Sequence, residues 1–311
     1  MNELIQTENK AIVAGFNFNM FERWTAFLDT KPKTVKTYSI SIKQFISYLR
    51  ENGIASPTRA DIIAYRESLT ATHKPTTIQA YLTAVKLFFQ WTAQERLYPN
   101  IAEHIKGAKL QAGFKKDYLT PRQAKSVLNA LDRNTLDGKR DYALISLLLV
   151  AGLRTVEAER ANIEDIRPLA DDTALYIQGK GRDEKAEYVK IPAEVEQAIR
   201  QYLSARGETD GSAPLFASIS HRNNNQRLTT QSISRIVKNA LRKAGLNSDR
   251  LTAHSLRHTT ATLNLLNGGT LEETSQLLRH KSINTTMIYA HALERAKNNS
   301  EARVAKAIFS M

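Results

Sequence analysis

Val35, Tyr38, Ile42, Phe45, Ile46 and Leu49 recur at steps of three and four residues. That is the period of one buried helix face, so the spacing predicts a helix that Gly53 ends. The same period predicts a helix over 62–69 and another from Thr77, with Ile78, Tyr81, Leu82, Val85, Phe88 and Phe89 facing inward. A further helix is expected over 18–28. Pro32, Pro57 and Pro75 fall between these segments, where helices begin or cannot continue. The aromatics sit on the inward period and read as core.

The pattern breaks over 111–118, where Gly113, Lys115 and Lys116 lack apolar flanks and a linker is expected. Thr120 and Pro121 then restart a helix, as N-cap and first helical residue. A buried helix over 142–150 stops at Gly152. Short β-rich runs at 173–177 and 186–191 flank Gly179-Lys180-Gly181-Arg182-Asp183, which has hairpin turn chemistry. Helices are expected again over 230–243, 255–266, 271–278 and 284–289. The fold class is therefore mainly α with a small β-hairpin or sheet, in two domains, 1–112 and 113–311.

Composition narrows the partners. The 311 residues contain no cysteine, which excludes disulfides, thiolate zinc sites and a cysteine nucleophile. No apolar run reaches the roughly 18 residues of a membrane span, and residues 1–10 do not read as a signal peptide, so a cytoplasmic protein is expected. Lys plus Arg number 44 against 31 Asp plus Glu, a net charge of +13. Residues 1–112 carry 14 basic and 9 acidic groups, and the remainder 30 and 22. Neither part is a basic tail, so each reads as a folded module able to face a nucleic acid.

Four short segments carry candidate chemistry. Arg154 follows a glycine-ended helix and stands at the mouth of the next, with Glu157 three residues on. Lys180 lies between two glycines at a hairpin tip. His254 and Arg257 are three apart on one helix face. His280 precedes Tyr289 by nine residues, across a turn into a short helix. His254 and His258 have the spacing of a metal pair, but the zinc-protease version needs Glu where Ser255 stands. No carboxylate cluster suits two-metal nuclease chemistry, so neither metal nor cofactor is expected.

Taken in order, Arg154, Lys180, His254-x-x-Arg257, His280 and Tyr289 resemble the tyrosine recombinase, or phage integrase, family, in its simple Xer-like two-domain layout. The resemblance covers nearly the whole chain. It implies a helical core-binding domain over 1–112 and an α+β catalytic domain over 113–311, with no room for an additional arm-binding domain. The family commonly has glycine before the later histidine. Arg279 stands there, adding a β-carbon at a helix end and a charge next to DNA.

The resemblance implies that Tyr289 attacks a DNA phosphodiester and leaves a 3′-phosphotyrosyl bond and a free 5′-hydroxyl. Arg154 and Arg257 would clamp the phosphate, His254 accept the tyrosine proton, His280 donate to the phosphate, and Lys180 protonate the leaving oxygen. Glu157 would orient a neighbouring arginine or histidine. Lys33, Lys36, Lys43 and Lys86, with Arg222, Arg227, Ser232 and Arg235, are candidate DNA contacts. The implied assembly is a homotetramer on two double-stranded DNA recombination sites, with accessory DNA-bending or directionality proteins. The apolar face of Val304, Ala305, Ile308 and Phe309 would dock on a neighbouring protomer. The setting would be bacterial or phage-encoded and nucleoid-associated. A type IB topoisomerase is the alternative that shares this chemistry. A catalytically silent DNA-binding regulator would have no need to keep all six residues.

Overall fold

Helix starts in the first unit are written in its caps. A computed structural model describes residues 16–109, 117–179 and 184–309. The chain divides into two units, residues 1–112 and 113–311. The first contains α1 (Phe18–Phe27), α2 (Pro32–Glu51), α3 (Arg59–Thr70) and α4 (Pro75–Gln94). Asn17 caps α1 by accepting from the Met20 amide, and Thr58 and Asp61 form a capping box on α3. Pro32 and Pro75 occupy first positions of their helices, where no amide is needed. The inward aromatics meet edge to face. Trp24 and Phe88 are 5.9 Å apart and Phe45 and Phe89 6.0 Å, in a core that also buries Tyr65 and Trp91.

The second unit opens with α5 (Pro121–Asn129) behind a Thr120–Gln123 capping box. The expected linker over 111–118 lies largely outside the described residues. Helix α6 spans Leu136–Val150 and starts earlier than the apolar period suggests. Its first turn, with Asp137, Lys139 and Arg140, is polar, and Thr135 caps it through the Gly138 amide. Helix α7 (Thr155–Arg160) follows, then an antiparallel sheet in the order β1 (Ile166–Leu169), β2 (Asp172–Ile177), β3 (Glu187–Ile191). Strands β2 and β3 form the expected hairpin, with Leu175 opposite Val189. Strand β1 was not expected. It has four residues and a proline, which an edge strand tolerates.

Helix α8 (Ala193–Arg206) was also missed, although Val195, Ala198, Ile199 and Tyr202 give it a buried face against α6. The chain continues through α9 (Thr230–Lys243), α10 (Ala253–Leu266), α11 (Leu271–Leu278), α12 (Asn284–Lys297) and α13 (Ser300–Phe309). Helix α12 runs well past Tyr289, the end that the sequence pattern suggests. Among the described residues, no helix is long and apolar enough to cross a membrane.

Candidate active site

The ends of α6 and α11, the start of α7 and the first turns of α10 converge on a cluster of arginines and histidines. Gly152 leaves α6 with φ +56°, a left-handed turn that suits glycine. A β-carbon there would stand 2.8 Å from Leu278 Cδ2, so the two helix ends touch. The freed Gly152 carbonyl accepts from Arg257 Nη1 at 2.5 Å. The other terminal nitrogen of Arg257 donates to the Leu278 carbonyl. Arg257 is 2% exposed and thus ties the end of α6 to the end of α11. Burial, with Arg154 and Arg279 beside it, pushes its guanidinium down to about 9. It remains cationic at neutral pH, in a setting that favours an incoming anion.

Arg154 is the N-cap of α7, and Glu157 closes the cap from the third position of that helix. Glu157 is fully buried. Its Oε1 accepts from Arg154 Nη1 at 2.7 Å, and its Oε2 from the Arg154 amide at 2.8 Å. Oε2 also accepts from Arg279 Nη2 at 2.8 Å. Burial alone would raise this carboxyl, but Arg279 and Arg154 outweigh it and hold it below the ordinary range. The Arg279 side chain is 6% exposed and turned onto Glu157, so its charge enters the cluster as one half of a buried ion pair.

His254 and His258 are one turn apart on α10, with their rings edge to face at 4.5 Å. His258 Nδ1 lies 2.6 Å from the Tyr289 hydroxyl. Burial, then His254, Arg257 and His280, lower His258 to about 4, so its ring is neutral at pH 7 and able to accept a proton. Tyr289 is buried against Ala261 and Leu278. Burial raises its hydroxyl, while the charge of Arg257 works in the opposite direction. His280 pairs through Nδ1 with Thr286 at 2.8 Å and is lowered to about 4 by burial and the nearby arginines.

The structure thus brings Arg154, Glu157, Arg257, His280 and Tyr289 into one hydrogen-bonded and charge-coupled cluster, with His254 joined to it through His258. Lys180 lies outside the described residues, as do Gly181, Arg182 and Asp183. The hairpin from which Lys180 springs is anchored by an ion pair between Lys185 and buried Asp165 at 2.5 Å. Among the described residues, no group of three or more histidines and carboxylates is placed to hold a metal. Sequence reasoning met His258 only as half of a possible metal pair and Arg279 only as a departure from the family pattern, and gave neither a part in the reaction. The signal for His258 was its four-residue step from His254. The partner of Arg279 is 122 residues away and leaves no local trace.

The candidate DNA contacts vary in setting. Lys33, Lys36 and Lys43 are exposed on α2, where Lys43 also lies 4.6 Å over the Phe21 ring, and Lys86 on α4 is half-buried. Arg222 and Arg235 are exposed. Arg227 is committed to its own chain, donating to the Glu159 and Ala161 carbonyls and to Asn162 Oδ1. Ser232 accepts from the hydroxyl of Thr229, the N-cap of α9.

The profile of the phage integrase family matches residues 117–295, and that of the phage integrase N-terminal SAM-like domain matches residues 18–98. Tyrosine recombinase XerC of Myxococcus xanthus is 29% identical over 283 residues, covering 87% of this chain and 92% of that protein. Tyrosine recombinase XerC of Chlamydia caviae is 30% identical over 315 residues, covering 90% of this chain and 97% of that protein. The solved structure of XerH site-specific recombinase bound to palindromic difH substrate, a post-cleavage complex, matches with TM-score 0.69 at 21% identity. It covers 88% of this chain and 78% of its own. A lambda integrase tetramer bound to a Holliday junction matches with TM-score 0.65 at 18% identity, covering 87% and 76%. At these identities the structural likeness establishes the fold.

Proposed function

Because the chain belongs to the phage integrase family and is a tyrosine-type site-specific DNA recombinase, we propose that Tyr289 is its nucleophile and that the arginine cluster around it is the phosphate site. The observation that carries this reading is the Tyr289 hydroxyl set 2.6 Å from a neutral imidazole and within the field of Arg257. A tyrosine hydroxyl has an ordinary pKa of about 10 and attacks only if its proton has somewhere to go and its charge is stabilised.

In the reaction, Tyr289 Oη attacks phosphorus as its proton passes to His258 Nδ1, which takes the acceptor role that the resemblance implied for His254, one turn away on α10. Arg154 and Arg257 hold the non-bridging oxygens, where charge gathers as the bond to Oη forms and the bond to the 5′ oxygen breaks. If Thr286 donates to Nδ1 of His280, the proton of that ring sits on Nε2, free to donate to the phosphate. Lys180 protonates the departing 5′ oxygen. A second 5′-hydroxyl then reverses the step and releases Tyr289, so no external energy source is consumed.

The substrate is double-stranded DNA carrying recombination sites, and the working assembly is a homotetramer on two duplexes, helped by accessory DNA-bending or directionality proteins. Residues 1–112 form the core-binding domain and 113–311 the catalytic domain. Exposed Lys33, Lys36 and Lys43, with Arg222 and Arg235, suit phosphate contacts, which would make binding steeply salt-dependent. Helix α13 has no buried residue, and Val304, Ile308 and Phe309 are all exposed, which favours a helix that docks on the next protomer. A cytoplasmic, nucleoid-associated setting in a bacterium or phage fits this role. The similar proteins are recombinases and integrases, and the type IB topoisomerase alternative is set aside.

A Tyr289→Phe variant tests the central assignment. A nicked suicide duplex should trap the wild type covalently and leave the variant untrapped, while both shift the intact site on a gel. A covalent adduct with Tyr289→Phe would transfer the role to another tyrosine.

A further inference from the structure

We propose that Arg279 is a positioning residue for the reaction, sharing Glu157 with Arg154 so that part of the Arg154 guanidinium stays available to the scissile phosphate. The inference rests on the assignment of Arg154 to the phosphate site.

The geometry is specific. A lone arginine beside a buried carboxylate tends to pair through two parallel N–H···O bonds, which occupies both terminal nitrogens. Arg154 does not pair in this way. Its Nη1 takes Oε1 of Glu157 at 2.7 Å, while Oε2 is filled by the Arg154 amide and by Arg279 Nη2, each at 2.8 Å. Arg154 Nη2 faces the Arg279 carbonyl at 3.4 Å, the edge of hydrogen-bonding range. Arg279 therefore supplies two things at once: a cation on one carboxylate oxygen and a carbonyl beside the other terminal nitrogen of Arg154.

Burial separates the two roles. The Arg279 side chain is 6% exposed, against 29% for Arg154. Arg279 Nη1 donates to the Leu277 carbonyl at 2.6 Å and its Nε is buried without a partner, so it is inward-facing structure rather than a ligand for DNA. Arg154 keeps the open side. Three guanidiniums, those of Arg154, Arg257 and Arg279, share the single negative charge of Glu157, leaving a cationic excess for an arriving phosphate.

The backbone commits to this arrangement. Arg279 caps α11 with φ 53° and ψ 50°, a conformation disfavoured for any residue with a β-carbon. Its amide bonds the Gln276 carbonyl at 2.9 Å, and the His280 amide bonds that of Ser275 at 3.0 Å. The same turn thus aims Arg279 inward and fixes the residue that follows it, His280.

Arg279→Gly tests the proposal, because glycine suits the turn and the change removes only the side chain. Single-turnover cleavage of a nicked suicide duplex is measured at saturating protein between about pH 5.5 and 8.5, beside binding to an intact single site and thermal stability. Cleavage near neutral pH should fall at least about tenfold while single-site binding changes less than about twofold. Glu157 faces Arg154, Arg257 and Arg279, and Arg279 also faces Glu187 and His280. Losing Arg279 therefore raises the Glu157 carboxyl, and the acid limb of the rate profile should move to higher pH. The double variant with Glu157→Gln should be no slower than Glu157→Gln alone. Should Arg279→Gly fail to fold, Arg279→Lys carries the test: the retained charge should restore the acid limb without restoring the full rate. Wild-type cleavage by Arg279→Gly, or independent multiplicative effects of the two changes, overturns the proposal. Normal cleavage by Arg154→Ala, run alongside, would instead remove the assignment of Arg154 on which it rests.

Discussion

Gly152→Ala should strike the active site through the main chain. Gly152 has φ +56°, where an alanine costs about 1–2 kcal/mol. Its β-carbon would also stand 2.8 Å from Leu278 Cδ2 and 3.2 Å from Thr260 Cγ2, an overpacking worth about 1–3 kcal/mol in a closed site. The sum is about 2–5 kcal/mol. Gly207 supplies the control in the same unit. It has φ +70°, but an alanine methyl there would meet nothing within 4 Å, so Gly207→Ala carries only the backbone cost of about 1–2 kcal/mol. At about 2–4 °C per kcal/mol for a unit of this size, Gly207→Ala should lower Tm by roughly 2–8 °C and Gly152→Ala by roughly 4–20 °C. Activity should separate them further. The Gly152 and Leu278 carbonyls both hold Arg257, and the new methyl pushes on the residues that carry them. Cleavage of a suicide duplex, measured well below either Tm, should fall about tenfold or more for Gly152→Ala and stay unchanged for Gly207→Ala. Equal Tm losses in the two variants, or wild-type cleavage by folded Gly152→Ala, would refute the reasoning.

The remaining predictions concern the histidines, the hairpin lysine and the last helix. His258 and His280 sit at about 4 in the folded chain against an ordinary 6.5. The unfolded chain therefore binds protons between about pH 6.5 and 4 that the folded chain does not, and stability should fall as pH drops through that window. Calorimetry of the DNA-free protein checks this, and a Tm that is flat from neutral pH to about pH 4.5 would contradict it. Lys180→Ala should slow cleavage of ordinary DNA and be largely rescued by a 5′-bridging phosphorothiolate, whose leaving group needs no proton; an equally slow rescued reaction assigns Lys180 another task. Deleting residues from Ala302 onward removes an exposed helix too short to be stable alone, so single-site binding should persist while paired-site occupancy and strand exchange fall. Gel-shift titration on one-site and two-site DNA reads this, and unchanged pairing would mean that α13 is dispensable.

Sequence by itself determined the elements whose signals are local. Helix α9 begins and ends at Thr230 and Lys243, and α11 at Leu271 and Leu278, because period and caps lie within each segment. The β2–β3 hairpin was legible from two β-rich runs around a glycine turn. The order Arg154, Lys180, His254, Arg257, His280, Tyr289 was visible because residue type and spacing carry it without any fold. Where local signal was weak, the reading fell short. The polar first turn of α6 hid its start, four residues hid β1, and α12 outran the motif that drew attention to its beginning.

Tertiary structure alone decided which atoms meet. His258 reaches Tyr289 because α10 and α12 pack together, bringing residues 31 positions apart to 2.6 Å. Arg227 looked like a free cation, yet packing brings the Glu159 and Ala161 carbonyls within its reach. Arg279 was legible only as an added side chain and charge at a helix end; a left-handed turn at the end of α11 directs it onto Glu157, a buried residue of α7. An ion pair between residues 122 positions apart has no period and no motif. It exists only because two helix ends are packed closely enough for a buried carboxylate to require a second cation.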